Sequence, residues 1–305
     1  IMFYRISPQT RSFAEIADTF RKADIAYANL EIPLTRSTTR TSRKTAAEIA
    51  ARNQFVLKAD PDHIGQIKGL GLDLVSLANN HTMDFGPAGM RDTMRALDRA
   101  GIAHNGAGEN RAEAEKVAVK RLPNGLRVGL LSHLAFMGTG ALNKCGPATD
   151  SAPGIAVLQF NGVINAAARA HLAKLVTAAR KQCDVLLVAP HWGLEKQSRP
   201  TPYQKALGRA WIDAGADAVL GAHPHTLQGR EKYKGKPILY SMGNLISPLP
   251  ARSAVYTIKF EGRRMVSWSV RPMDNRGGRC VWLPAQQEPA RRREIERLDL
   301  LIGKR

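Results

Sequence analysis

Cysteine is scarce. Cys145, Cys183 and Cys280 are the only three in 305 residues. Three are too few for a disulfide framework. No CxxC or Cys/His finger spacing occurs, which argues against a thiolate-held structural zinc. Cys183 stands just ahead of an apolar run and reads as a buried hydrophobe. Long apolar runs are missing too. Nothing approaches the roughly 20 residues of a membrane-spanning helix, and no stretch has the make-up of a signal peptide. The chain opens on Ile1 rather than Met, so sequence is expected ahead of it and the compartment stays open. The largest shortage is acid. Lys and Arg number 45 against 26 Asp and Glu, a formal net charge of +19. That surplus either attracts polyanions (phosphate esters, nucleic acid, anionic lipid, an acidic polymer) or reflects a basic proteome.

The most informative stretch is Gly221-Ala222-His223-Pro224-His225. It follows the short apolar run Ala218-Val219-Leu220, which reads as a buried strand. Three other runs have the same grammar of acid, strand, small residues, then Asn, Glu or His. Asp24 to Ala28 leads into Asn29-Leu30-Glu31, and Leu72 to Leu77 leads into Asn79-Asn80-His81. Cys183 to Val188 leads into His191-Trp192-Gly193. Helical stretches lie between them. In open α/β sheets, ligands bind beyond the carboxyl ends of strands, so Glu31, Asn80, His81, His191, His223 and His225 are expected on one rim.

The rest of the chain supports one layered α/β domain, large enough for a substantial core. Phe13 to Ala23 has helical spacing. Asp60-Pro61 reads as an N-cap with Pro at the first helical position. Pro87 opens a helix with Met90, Met94 and Leu97 inward, closed by Gly101. Asn124-Gly125 marks a hairpin. Residues 133–156 read as an irregular excursion. Residues 161–182 read as a helix with Ile164, Ala168, Leu172, Leu175 and Ala179 inward, and Thr201-Pro202 starts another. After His225 the pattern turns antiparallel, and Glu288 to Leu301 is a basic amphipathic helix with Arg291, Arg292 and Arg293 near its start. Residues 1–285 are thus taken as the main domain and 286–305 as a basic C-terminal helix. Between Thr35 and Thr45 lies a loop carrying Arg36, Arg40, Arg43 and Lys44. It is either a solvated loop or a strap that holds an anionic substrate over the site.

The rim residues suit a centre of two divalent metal ions, which needs hard oxygen and imidazole donors with one bridging carboxylate. Glu31 is the bridge, Asn80 gives an amide oxygen, and His191, His223 and His225 give nitrogens. His81 is left to protonate a leaving oxygen as general acid. His63, His104, His133 and His171 lie away from strand ends and read as structural or solvated, with His133 the best of them as an outside ligand.

These motifs, with Asp84, Gly86, Glu195 and Ser241-Met242-Gly243-Asn244, resemble the ordered motifs of the CapA family. That family comprises capsule or poly-γ-glutamate biosynthesis proteins within the calcineurin-like metallophosphoesterase superfamily. The resemblance covers about residues 24–246. It implies a four-layer αββα sandwich with mixed sheets and a dinuclear Mn, Fe or Zn site. It puts Glu31 at the bridging acid, Asn80, His191, His223 and His225 at metal ligands, and His81 at the proton donor. Asp84 and Glu195 are assigned to supporting contacts or helix capping. The family opens with a strand ending in Gly-Asp, whose Asp is a ligand. No such strand precedes Asn29 here, so the second ion is expected to be weakly held in this chain as given. The implied chemistry is phosphoesterase-type hydrolysis, or else non-hydrolytic binding of a capsular polyanion. The implied partners are an anionic polymer or phosphoester and a membrane-associated capsule synthesis complex, in a bacterial, membrane-associated or extracytoplasmic setting. Nucleic acid is disfavoured, since charge alone supports it and no helix-turn-helix, RNP or finger signature is present.

Overall fold

The computed structural model describes residues 1–303; Lys304 and Arg305, the end of the expected tail segment, lie outside the described residues. Phe13 and Ile16 start a turn that becomes α1 (Ala17–Arg21), and β1 (Tyr27–Asn29) follows. The Ser/Thr/Arg loop ends in α2 (Ala46–Ala50), begun by a Thr45–Glu48 capping box in which each side chain meets the other's backbone amide. Asp60 caps a short 3-10 turn, then α3 (Ile64–Leu70) leads into β2 (Leu74–Ser76). Helix α4 (Gly86–Ala100) takes Pro87 in its first turn and stops at Gly101, left-handed at φ 73°, where glycine has no Cβ to clash.

Beyond it come β3 (Ala103–Asn105), β4 (Ala107–Gly108) and α5 (Arg111–Ala114). Strands β5 (Ala118–Arg121) and β6 (Arg127–Ala135) form the hairpin at Asn124-Gly125. The stretch 133–156 is more ordered than its composition suggested. Parallel pairing with the next long strand carries β6 on to Ala135. Helix α6 (Thr139–Lys144) and β7 (Gly154–Ile155), which pairs with β4, complete it. Helix α7 (Ala166–Arg180), β8 (Val185–Trp192), α8 (Pro202–Ala214) and β9 (Ala218–Leu220) continue the alternation. In α7 the buried register is Ala168, Leu172, Val176 and Ala179, so Val176 takes the place expected for Leu175. Antiparallel elements follow: β10 (Arg230–Tyr233), β11 (Lys236–Leu239), β12 (Ala251–Glu261), β13 (Arg264–Asn275) and β14 (Cys280–Trp282). Helix α9 (Glu288–Asp299) packs on β13 and β10. No helix among the described residues is long and apolar enough to cross a membrane.

Two sheets stack. One is parallel, in the order β1-β2-β3; the other is β10-β11-β9-β8-β6-β5, parallel in its middle and antiparallel at both edges. Leu74, Leu130, Leu187, Leu220 and Leu239 fill the space between them. Ile16, Ile67, Leu70, Met90 and Leu97 pack the outer face of the first sheet under α1, α3 and α4, while Leu172, Val176, Leu207 and Trp211 pack the second under α7 and α8. Each fully buried aliphatic side chain contributes about 1.5–3 kcal/mol. The order helix, sheet, sheet, helix is the expected αββα sandwich with mixed sheets. A third sheet, β12-β13-β14, flanks it.

Strands β1 and β12 are edge strands of their sheets. A largely apolar cavity of about 590 Å³ lies between them, walled by Tyr27, Val128, Leu187, Leu239 and Tyr256 and opening at Glu31, His223 and His225. At that opening the Ile1 nitrogen donates to Asn29 O, and the Glu31 amide donates to Ile1 O. This is the hydrogen-bond pattern of parallel pairing.

His133 sits on the helix-facing side of β6, with its ring centroid 5.7 Å from that of Trp211 and neither nitrogen hydrogen-bonded. It is therefore outside the rim. Burial depresses it from 6.5 to about 3. Above pH 6.5 both folded and unfolded chains hold it neutral. Below 6.5 the unfolded chain takes up a proton that the folded chain refuses until about pH 3. Stability should fall across that window by about 1.4 kcal/mol per pH unit from this group. Urea unfolding at pH 7.5 and pH 5.0 should show the wild type losing about 2 kcal/mol more than His133→Phe; equal losses would refute the assignment.

Candidate metal centre

Each strand delivers its side chains just past or at its carboxyl end. Glu31 lies two residues beyond β1, Asn80 four beyond β2, and His223 three beyond β9, while His191 is the penultimate residue of β8. Because β1 and β2 belong to one sheet and β8 and β9 to the other, the side chains meet at the seam. Glu31 Oε1 is 3.3 Å from His191 Nε2 and 3.5 Å from His225 Nε2. His191 Nε2 is also 2.9 Å from Asn80 Oδ1. The rings of His191 and His223 are 4.9 Å apart, and those of His223 and His225 are 5.8 Å apart. Phe136 covers them, 4.7 Å from His223.

The turn that carries both histidines is strained. His223 has φ 102° and His225 φ 55°, conformations that cost a non-glycine residue about 1–3 kcal/mol. What holds them is close packing. A Cβ on Gly221 would lie 2.1 Å from Tyr240 O, so the backbone there is pressed against the Ser241-Met242-Gly243-Asn244 segment. From that segment Asn244 Oδ1 sits 2.9 Å from His225 Nδ1. Taking the Nδ1 proton there leaves the Nε2 lone pair facing Glu31.

Electrostatics favour a cation at this point. Burial alone would raise the Glu31 pKa, but the imidazoles of His225, His191 and His223 outweigh it and hold the carboxyl well below its ordinary range. Burial keeps His191 and His223 below the histidine range, and neutral imidazole is the form that ligates metal. Glu31 Oε1 is buried without a well-aligned hydrogen bond, and so are His191 Nδ1 and His223 Nδ1. Carboxylate and amide oxygens and imidazole nitrogens therefore converge at one point, and Glu31 Oε1 has no well-aligned proton donor there. Ligand atoms of Glu31, His191 and His223 lie within 4.8 Å of one another, as do those of Glu195, His223 and His225. The residues fit a divalent ion.

Two supporting residues, Asn29 and Asn79, have no individual role in the sequence reading. Asn29 Nδ2 donates to Glu31 Oε2 at 3.2 Å. Asn79 Oδ1 accepts from the amides of His81 and Thr82, and its Nδ2 donates to Leu30 O, tying the β2 turn to the β1 turn. Lys44 corrects the expectation for its loop. Rather than reaching over the site, it is buried in an ion pair with Asp84, and its Nζ also donates to Asn80 O and Phe55 O. Arg36 lies against Asp60 and Asp62, and Arg43 donates to Asn143 O. Asp84 also accepts from the Leu57 amide and sits 2.7 Å from His81 Nδ1. It thus holds the His81 ring in place through Nδ1. Nothing in the sequence marks one basic loop residue out of four as the buried one.

An αββα sandwich with N/O donors at the strand ends of both sheets has the architecture of the metallophosphoesterase type. A solved structure of a hypothetical protein from Thermus thermophilus shares the fold, with a TM-score of 0.51 and 16% identity over 86% of this chain and 92% of that one. Residues 5–249 match the family described as bacterial capsule synthesis protein PGA_cap, and the chain belongs to that family. It is 30% identical over 234 residues to "Capsule biosynthesis protein CapA" of Bacillus anthracis, covering 77% of this chain and 53% of that protein. To "PGA biosynthesis protein CapA" of Bacillus subtilis (strain 168) it is 29% identical over 234 residues, covering 77% and 56%. The CapA resemblance read from the motifs is borne out. The chain spans about half the length of these curated relatives.

Removing one partner of a buried ion pair costs about 3–5 kcal/mol because the other charge is left unpaired. Lys44→Met should therefore lose about that much in urea unfolding, and Lys44→Met with Asp84→Asn should lose less than the sum of the two single changes. Additive losses would show that the pair is not coupled.

Proposed function

We propose that the chain is a metal-dependent hydrolase acting on an anionic linkage in the making of a capsular or poly-γ-glutamate polymer. The observation that carries this reading is the buried, unpaired Glu31 Oε1 facing two imidazoles. Glu31, Asn80, His191 and His223 would hold one divalent ion; His225, with Glu31 shared, would contribute to a second. Such ions, Mn, Fe or Zn, supply Lewis acidity and lower the pKa of water, as hydrolysis requires. Protein groups do the rest. His81, oriented through Nδ1 by Asp84, would present Nε2 to a departing oxygen as general acid. Phe136 screens the His191 and His223 rings from solvent. The family description, capsule synthesis, supports a capsular or poly-γ-glutamate polymer as the setting, and a membrane-associated synthesis complex would be the partner.

His81→Ala separates the roles. It should cut Mn²⁺-dependent release of phosphate from an aryl phosphate by about 10²–10⁴-fold, with metal content by elemental analysis nearly kept. His223→Ala should lose metal and activity together. Equal metal loss in both variants would make His81 a ligand. No phosphate release by the wild type, with metal bound, would leave the non-hydrolytic polymer-binding reading in place.

The net charge of +19 favours capture of a polyanion under either reading. Exposed charges are screened beyond about 8 Å at physiological salt. Retention on immobilised poly-γ-glutamate should therefore be strong at about 20 mM salt and fall steeply toward about 300 mM. Indifference to salt, or no retention at low salt, would reduce the charge to a compositional bias.

A further inference from the structure

A buried lysine stands behind two of the residues that carry the proposed chemistry. The side chains of Lys44 and Asp84 are 2% and 1% exposed, and burying an ammonium is costly unless it is paired and its donors are satisfied. Here they are. An ammonium has three donors, and Nζ meets three acceptors: Asp84 Oδ1, Asn80 O at 2.9 Å and Phe55 O at 2.9 Å. We infer that Lys44 is a positioning residue of the centre, a node that ties the amide ligand Asn80 to the proton donor His81.

Both ties start from one nitrogen. The first runs to the backbone of Asn80, whose Oδ1 lies 2.9 Å from His191 Nε2. The second runs through Asp84, whose Oδ2 lies 2.7 Å from His81 Nδ1. Asn80 and His81 are neighbours in sequence, yet on the proposed reading one serves the ion and the other the departing oxygen. Peptide connectivity leaves the χ angles of His81 free. Asp84 restrains them only insofar as Asp84 is itself restrained, by Lys44 and by the Leu57 amide at 2.7 Å. The loop that delivers Lys44 is anchored on either side of it. Thr41 N donates to Asp84 O at 2.9 Å, Arg43 Nη1 donates to Asn143 O at 3.2 Å, and Thr45 begins α2 with its capping box. The ammonium therefore arrives on a held backbone rather than at the end of a free loop.

Stability alone does not account for a charge in this place. Apolar residues of similar volume are often as stabilising as a buried ion pair, or more so. What the ammonium adds is direction, in three hydrogen bonds aimed at three different chain segments. Groups that orient a metal ligand in this way are typically worth about 10–100-fold in metal affinity or activity.

The inference rests on the metal-hydrolase reading, and the test separates the two. Lys44→Met keeps most of the side-chain length and removes the donors. In protein shown to be folded by circular dichroism, it should lower Mn²⁺-dependent kcat on an aryl phosphate by about 10–100-fold with KM nearly kept. Mn²⁺ affinity by calorimetry should weaken by about tenfold or more. Leu172→Ala, a buried change under α7, destabilises the chain as well and should alter neither quantity. Lys44→Arg covers the case in which Lys44→Met does not fold. It keeps the charge, but a planar fork cannot address the acceptors that a compact ammonium does, so both quantities should fall again. Wild-type kcat and affinity in Lys44→Arg or in folded Lys44→Met, or equal losses in Leu172→Ala, would reduce Lys44 to a fold-stabilising residue and leave the metal reading standing. If the wild type binds Mn²⁺ without releasing phosphate, the affinity comparison decides alone. A wild-type chain that binds no Mn²⁺ would overturn the metal reading and this role with it.

Discussion

Everything at the centre depends on a carboxylate buried where two sheets meet. Glu31 leaves β1 of the first sheet and stands 3.3 Å from His191 in β8 of the second. An ionised carboxylate removed from water costs several kcal/mol unless it is paired, and here only imidazoles stand close to Oε1. The contact exists only because the layers pack in one register, and the leucines between the sheets set that register. Asn29, the Ile1 carbonyl and Asn79 then fix the turn from which Glu31 projects. A cation placed there would relieve the carboxylate's desolvation and its missing partner together. Metal affinity and folding stability would then draw on the same interaction.

The second sheet contributes rigidity of a different kind. The turn bearing His223 and His225 has two residues at positive φ and is pressed so closely on Tyr240 that Gly221 has no room for a side chain. Trp192, next to His191, donates its indole N–H to the same Tyr240 carbonyl at 2.8 Å. One carbonyl thereby registers the β8 end against the β11 end. The strain at the histidines is tolerable because the surroundings allow no relaxed alternative, and it fixes the imidazole positions before any ligand arrives.

Much of this was legible in the sequence because it is written in local chemistry. Asp60-Pro61, Thr201-Pro202, Gly101 and Asn124-Gly125 each carry a backbone demand that needs no tertiary information. The four strand-end motifs carry more, because parallel strands share a direction and their carboxyl ends must share a rim. Other features were not legible. Lys44 differs from Arg36, Arg40 and Arg43 only in having Asp84 within reach, a contact across 40 positions of sequence. Asn244 matters only because the GAHPH turn folds back on its segment. Order in 133–156 comes from β6 pairing with β8 and β7 pairing with β4, and the choice of Val176 over Leu175 is set by the pitch of α7 on its sheet. In each case the deciding partner is distant in the chain.

Charge brings these points together. The surplus of cations belongs to the molecule as a whole, whereas the centre itself is lined by carboxylates and imidazoles. Several basic residues are committed to ion pairs: Lys44 to Asp84, Arg36 to Asp60 and Asp62, Arg91 to Glu109. An anionic polymer would thus be attracted from a distance by the summed field yet meet Glu31 and Glu195 at the mouth. Without ions, that last approach is repulsive. With them, the sign at the mouth reverses, and the same donors that repel the substrate become the means of holding it. Under the hydrolase reading the ions therefore act twice, first in admitting the anion and then in its chemistry. Under the binding reading they still act once, so metal dependence of polymer binding is common to both, and only turnover divides them.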